Sequence, residues 1–584
     1  MSNIWILIDL HQIELINKMK FMKKLFCLSE FFAFFFMFIP IVLLVFCGII
    51  WLVGLSLNLT IFPIGVVVSY CMAVKLSKSQ KQIKETICIS LSILIVLIIA
   101  CYYIYDSSWD GYTYHQPAIA ALSEGWNPIY QHHVDPEVYE DANIWVDCAI
   151  WVDHYAKGQE TICATIVSTF GNIEIGKVGN FFLPLSGFFF CLLAIRRMFS
   201  HWSGRKTVLI AFIVAFPPII WNQVFTFYID FVLYPLVIIA LSSVVLYLKD
   251  KLKFFAVMTS VVAIAIGVKP NIFMWIGLLY FGILIYMYVH KYKDMVKYSF
   301  VYGFLTCFIS IFSYAYNPYI VNTIDHGSPF YPLFGGAKTV DIMTHIEPDS
   351  FKGLSGAEKI IYADLARPAH NPEATILYPY VGYKLKNHIL SCGVPDVRTG
   401  GTGLLWIDCL LLSLLVFILT QSYRRNGVRL YWIVSILFFV TQFLVPGGWM
   451  YRYVSYIYLI PIFLVFASEW CITKYAVIIR KVIYGLLVIN IIVAITITIS
   501  ETILKNQIED YYVKCINVSD KPCYNSDKYG FIRKINPEKR KLIANSQNTE
   551  NIPFCSNGVI FENLNRNVET NFIQEILLKK GILK

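Results

Sequence analysis

The chain alternates long apolar runs with polar connections, and the runs cluster near the roughly 20 residues needed to cross about 30 Å of hydrocarbon. Runs at 31–55, 58–75, 87–105, 177–195, 207–225, 231–248, 254–268, 271–289, 298–315, 403–421, 430–446, 453–471 and 482–499 predict an all-α polytopic membrane protein with about 13 transmembrane helices. A twelve-span version with a cytoplasmic tail is the alternative. No internal repeat and no matched pair of interrupted apolar segments is visible.

Composition agrees with the pattern: the 584 residues are 57% hydrophobic and only 15% charged, too little charge for a water-facing surface of this size. Aromatic side chains suit the interfacial belts of membrane helices. The net charge of +10 would raise nucleic acid as a partner, but the Lys and Arg residues sit largely in short connections and in the C-terminal tail. Such charge orients spans and carries no nucleic-acid signature. The clusters "KMKFMKK", "KLSKSQKQIK", "RRMFSHWSGRK", "KDKLK", "HKYKDMVK", "YRRNGVR" and "KYAVIIRK" fall in alternate connections, which makes those connections cytoplasmic.

The opposite, extracytoplasmic side then receives 106–176, 226–230, 269–270, 316–402, 447–452 and the tail. This divides the chain into a cytoplasmic N-terminal segment 1–30, a transmembrane module 31–499 with large loops 106–176 and 316–402, and a small C-terminal extracytoplasmic region 500–584. The first segment reads as an interfacial amphipathic stretch or an overextended start, followed by a retained span. The tail ends in a candidate helix, "NFIQEILLKKGILK".

The fifteen cysteines show no CxxC pair and no metal-ligand spacing, and Cys47, Cys71, Cys191 and Cys307 lie in apolar runs, where cysteine acts as a small hydrophobe. In an oxidising compartment Cys515 and Cys523 would be able to pair, which leaves Cys555 over.

Candidate chemistry gathers on the extracytoplasmic side. In "WDGYTYHQPAIAALSEG", Pro117 suits the first position of a helix and Gly125 its end. Asp110, Tyr114 and His115 are then placed on the segment feeding a surface helix whose N-terminus favours phosphate. The plainer reading is an interfacial loop with a solvated aspartate.

Asp230 in "NQVFTFYID" falls where the chain re-enters the membrane. A mid-bilayer lysine costs roughly 2.5–3.5 kcal/mol, so Lys269 in "GVKPN" predicts a break at Lys269-Pro270 instead. Arg452 in "WMYRYVSYIYLIP" opens a span, and Asp325 and His326 lie in a compact Pro- and Gly-bearing loop. Lys157, in "HYAKGQE", comes from the same first loop as Asp110. Each has a plain alternative as an interface anchor or turn residue. Asp408, inside a span, is expected to pair within the bundle. A carboxylate, a histidine and two cations at one membrane face suit a lipid-linked phosphate ester, whose chain stays in the bilayer while its phosphate sits at the interface.

The order of "WDGYTYHQP", "NQVFTFYID", "GVKPN", "NPYIVN…HGSPFYPL" and "WMYRYVSYIYLIPI" resembles bacterial GT-C glycosyltransferases, relatives of the protein O-mannosyltransferases and the lipid A aminoarabinose transferase, over most of 87–470. The resemblance implies the GT-C fold and a bacterial inner-membrane enzyme with an extracytoplasmic active site. It implies a polyprenyl-phosphate sugar donor, a glycan, lipid or protein acceptor, and inversion at the anomeric carbon. Asp110 maps onto the catalytic base; His115, Lys157, Asp230, Lys269, Arg452, Tyr114 and His326 are assigned to substrate. Relatives with two adjacent acids differ here, because Gly111 follows Asp110. The second acid is left open among Asp106, Asp147 and Asp153, and with it any divalent metal. A lipid-linked oligosaccharide ligase or polymerase, and a transporter or flippase, are the competing readings.

Overall fold

A computed structural model describes residues 2–106, 108–134, 146–333, 347–369, 389–444 and 447–518, with side chains inside these ranges over 24–507 except 146–149. Among them the regular structure is helical, and the only β feature is one isolated antiparallel bridge between Ala369 and Thr399. Eight helices among the described residues are long and apolar enough to cross a membrane, and the protein is membrane-embedded. They are Lys24–Leu52, Gln80–Tyr103, Ile173–Met198, Asp230–Tyr247, Lys251–Val268, Pro270–Val289, Asn426–Leu444 and Lys474–Gln507.

The other expected spans are shorter or broken. Those at 58–75, 403–421 and 453–471 correspond to the shorter apolar helices Ile61–Ser77, Trp406–Leu419 and Ser455–Ser468. The run at 207–225 splits into Gly204–Ala215 and Pro218–Gln223. Pro217 and Pro218 explain the break: each lacks a backbone donor and bars the preceding residue from helical geometry. Past 298–315, helix Lys293–Ile311 bends by 71° into Tyr316–His326.

The first helix lies at the centre. Its phenylalanine-rich stretch 31–38 is buried against Gly179–Met198 and Ile61–Ser77. Peripheral helices instead expose apolar side chains, such as Leu91, Ile95 and Val96 on one and Phe281 and Ile285 on another. Such surfaces belong against hydrocarbon rather than water.

The connections expected to share one side do meet at one end of the bundle. Phe227 N–H donates to Asp106, Lys269 reaches Asp230, and Arg452 reaches Asp110 and Asp396. A small separate core of Phe351, Ile360, Ala363, Trp449 and Met450 clamps the Arg452 turn beneath helix Gly356–Leu365. That helix begins with a capping box between Ser355 and Glu358.

The final helix, Lys474–Val518, runs through the expected boundary at 499. Its Asn506 amide donates to Tyr103 O (2.6 Å) and accepts from Tyr105 N–H (2.9 Å), so it emerges at the same end as Asp110. The rest of the C-terminal region, Cys523, Cys555 and the side chains of Asp147, Cys515 and the first 23 residues lie outside what is described.

Candidate active site

Asp110 is held by a helix that starts earlier than its sequence suggests. Trp109 and Asp110 are already helical, Gly111–His115 forms a π-turn, and Gln116–Glu124 continues as α-helix to a left-handed Gly125. The expected helix N-terminus at Pro117 is therefore inside a continuous helical run and offers no free N–H groups to phosphate. The true N-terminus is already filled by Asp106. Its Oδ1 accepts from Ser108 N–H (2.9 Å), and its Oδ2 accepts from Gln116 Nε2 (3.2 Å) and Phe227 N–H (3.1 Å).

Asp106 is fully buried with Glu174 and Lys177; Lys177 donates to Glu174, and Glu174 Oε2 accepts from Asp106 N–H. Burial pushes the Asp106 carboxyl above its ordinary range, against the pull of Lys177. With its oxygens hydrogen-bonded to Ser108, Gln116 and Phe227, Asp106 braces the turn that carries Asp110. The same arrangement explains Gly111. A Cβ there would lie 1.9 Å from Asp106 Oδ2 and 2.4 Å from Ser108 Oγ, so a second adjacent acid has no room. Gly111→Ala is expected to destabilise the protein by about 1–3 kcal/mol through overpacking. The check is the detergent-solubilised melting temperature, which should fall by several degrees.

Four of the residues singled out in the sequence converge. Arg452 Nη1 donates to Asp110 Oδ2 (3.2 Å) and lies 3.6 Å from Asp230 Oδ2. Lys269 Nζ donates to Asp230 Oδ1 at 2.6 Å. Lys269 is extended between helices Lys251–Val268 and Pro270–Val289, where Pro270 ends the first run and starts the second. A close backbone contact helps to seat it: a Cβ on Gly158 would come within 2.7 Å of the Gly267 carbonyl. Burial works most strongly against the Lys269 charge, but the charge and hydrogen bond of Asp230, together with Tyr453, leave its pKa above the ordinary lysine value.

Two residues were missed in the sequence. Asp396 Oδ1 lies 3.2 Å from Arg452 Nη1, and its Oδ2 accepts from Arg398 Nη2 at 3.2 Å. Both come from "GVPDVRTG", whose only signal was its place in a loop on the same side. Backbone bonds hold this segment: Tyr451 N–H donates to Arg398 O (2.9 Å), and Arg398 and Thr399 N–H donate to Ala369 O. Gln223 ties it to Asp230, donating from Nε2 to Pro395 O (2.9 Å) and accepting Phe231 N–H on Oε1 (2.8 Å).

Tyrosines wall the cluster. The Arg452 guanidinium sits 5.4 Å from the Tyr228 ring and 5.3 Å from the Tyr453 ring, with Lys269 4.9 Å from Tyr453. Tyr114, one turn beyond Asp110, packs edge-on against Tyr155. Burial first, and Asp110 among the neighbouring groups, push the phenols of Tyr114, Tyr155 and Tyr228 well above the ordinary tyrosine value. They stay neutral hydrogen-bond donors. The Tyr228 hydroxyl is buried and makes no hydrogen bond among the described residues.

The remaining expected site residues lie elsewhere, each held by a partner the sequence did not reveal. His115 is buried with Nδ1 2.6 Å from Glu160 Oε1, its ring against Tyr114. Lys157 spends all three donors on protein: Asp153 O (2.9 Å), Tyr155 O (2.6 Å) and Asn317 Oδ1 (2.8 Å). Burial lowers its pKa to about 7, partly countered by Asp153 and Glu160. It therefore ties the loop behind Tyr155 and has no N–H left for a phosphate. His326 stacks on Tyr331 at 3.6 Å, in a group with His154, and Asp325 faces His132 and His133 at 3.4 and 3.5 Å. Asp153 joins that second group, with Oδ1 accepting from Val134 N–H and Oδ2 3.5 Å from His133 Nδ1. Asp408 pairs with Arg367 at 3.8 Å.

Among the described residues around Asp110, the carboxylates Asp110, Asp230 and Asp396 are paired with Lys269, Arg398 and Arg452, an arrangement that does not favour a divalent cation. Among the described residues, no group of three or more His, Cys, Asp or Glu is arranged to hold a metal.

No family model, curated protein or solved structure matches this chain.

Proposed function

We propose that the protein is an inverting glycosyltransferase of GT-C type, with its reacting end on the extracytoplasmic face of a bacterial inner membrane. It takes a sugar from a polyprenyl-phosphate donor and gives it to a glycan, lipid or protein acceptor. The observation that carries this reading is the contact of Asp110 with Arg452 beside the Lys269–Asp230 pair, at one end of an apolar helix bundle. A carboxylate able to take a proton and cations able to hold a phosphate meet at one end of the bundle, which suits a lipid-linked phosphate whose chain lies along the helices.

The proposed reaction is a single displacement. Asp110 takes the proton of the acceptor hydroxyl as its oxygen forms a bond to the sugar C1. The C1–O bond to phosphate breaks, and its electron pair leaves with polyprenyl phosphate. The departing phosphate needs no proton; it needs its growing charge stabilised, and preorganised cations do that. Arg452 offers a planar fork and Lys269 a point charge. One displacement inverts the anomeric centre. Tyr114, Tyr155 and Tyr228 supply neutral donors and aromatic faces for a sugar.

Purified protein in nanodiscs, given polyprenyl-phosphate-linked sugars and envelope-derived acceptors, is expected to release free polyprenyl phosphate and yield an inverted product. Turnover of polyprenyl-diphosphate-linked oligosaccharides instead, with release of polyprenyl diphosphate, would point to a ligase. Movement of intact donor across the bilayer without release would point to a flippase, and a retained anomeric configuration would rule out the single displacement.

A further inference from the structure

Arg452 is shared among more carboxylates than one guanidinium nitrogen can serve well. Its Nη1 is 3.2 Å from Asp110, 3.2 Å from Asp396 and 3.6 Å from Asp230. The three carboxylates differ in how they are anchored. Asp230 opens the helical segment Asp230–Tyr247, and Lys269 binds it at 2.6 Å. Asp110 stands on the helical turn seated on Asp106. Asp396 alone comes from a non-helical segment, between the 3-10 turn Ser391–Gly393 and helix Trp406–Leu419. It places one oxygen toward Arg452 and the other toward Arg398, 3.2 Å each. A carboxylate bridging two guanidiniums presents them with a pair of anionic acceptor oxygens, as a bound phosphate would.

We infer that Asp396 occupies the seat of the donor phosphate on Arg452, and that an incoming polyprenyl phosphate ester displaces it and inherits both Arg452 and Arg398. This rests on the proposed lipid-phosphate reading and deepens it, because it adds Arg398 as a second guanidinium on the phosphate. It also gives the resting contact between Asp110 and Arg452 a consequence. Once phosphate draws the guanidinium, Asp110 is released from its ion pair to accept a proton. In the resting state Asp110, Asp230 and Asp396 offset Lys269, Arg398 and Arg452 among the described residues, as charges at a buried end require.

The test is equilibrium binding of undecaprenyl phosphate to nanodisc-embedded protein. Asp396→Asn is expected to bind at least tenfold more tightly than wild type, because the competing carboxylate is gone. Arg398→Gln is expected to bind at least fivefold more weakly. Inorganic phosphate should show the same opposite signs at higher concentrations. If the Asp396–Arg398 pair merely braces the loop, both variants weaken binding together, and that result overturns the inference. Equal or weaker binding by Asp396→Asn overturns it as well. Should the asparagine variant not fold, Asp396→Ser gives the same readout. Wild-type binding that is lost in Arg452→Gln would leave the lipid-phosphate reading standing even if the Asp396 result fails. No binding by any form would remove both.

Discussion

Asp110→Asn is expected to lower the rate of sugar transfer by about a thousandfold, within the 10²–10⁴ range for losing a general base, while donor binding stays close to wild type. Asparagine keeps the shape of the side chain and can still meet Arg452 through its amide oxygen, so the turn seated on Asp106 should persist. It cannot take a proton at neutral pH. Kinetics with saturating donor and acceptor should place the loss in kcat rather than KM. The split matters, because a side chain acting only as a structural counter-ion to Arg452 would move KM and stability instead. Unchanged transfer in Asp110→Asn would take this residue out of the chemistry and leave the charge cluster a structural knot.

Arg452→Gln is expected to have the second large effect, on two separate readouts. Transfer should fall by about 10²–10³, the size seen when one preorganised stabilising donor is lost. The fold should also weaken by about 3–5 kcal/mol, because removing one partner of a buried ion pair strands the other. Here three carboxylates, Asp110, Asp230 and Asp396, face that guanidinium, and among the described residues Lys269 and Arg398 are the cations left beside them. Arg452→Lys keeps the charge that faces the carboxylates but loses the planar fork offered to a phosphate, so it should restore more stability than activity. Melting in detergent and single-turnover transfer, measured on the same preparations, separate the two effects.

How much of this could be read along the chain differs by residue. Asp230, Lys269 and Arg452 were legible because an ionised side chain beside a long apolar run is costly and demands a reason. Lys269 even showed the break in the helix, since Pro270 follows it. Asp110 was legible only through the aromatic stretch around it and the family its motifs resemble. Asp396 and Arg398 were not, because a charged pair in an ordinary polar loop costs nothing and so draws no notice. His115, Lys157 and His326 looked alike in the sequence but diverged in the fold. Membership of one side of the membrane is a weak condition, and Glu160, Asn317 and Tyr331 claimed them first.

The helix that carries Asp110 shows the same limit. Pro117 is a fair sign of a helix start, but proline also fits the first turns of a run that began earlier, and the π-turn at Gly111–His115 left no local mark. Its cause is distant: Asp106 is pinned by Phe227 and Gln116 and lined by Glu174. Gly111 was read as a departure from a two-acid motif, and the fold turned it into a steric requirement. Likewise, runs at 58–75, 207–225 and 453–471 have the hydropathy of spans but form shorter or interrupted helices. Hydropathy measures transfer into hydrocarbon, not where prolines and tertiary contacts stop a helix.

By itself the sequence determined that the chain lives in a bilayer, which connections gather at one end, and which charges there are too expensive to be idle. Those follow from local free energies of burying apolar and ionised groups, and such terms need no knowledge of neighbours. Only the tertiary structure decided which charges meet. Ion pairing falls off within a few ångströms, and residues 110, 230, 269, 396 and 452 are brought that close by the packing of helices far apart along the chain.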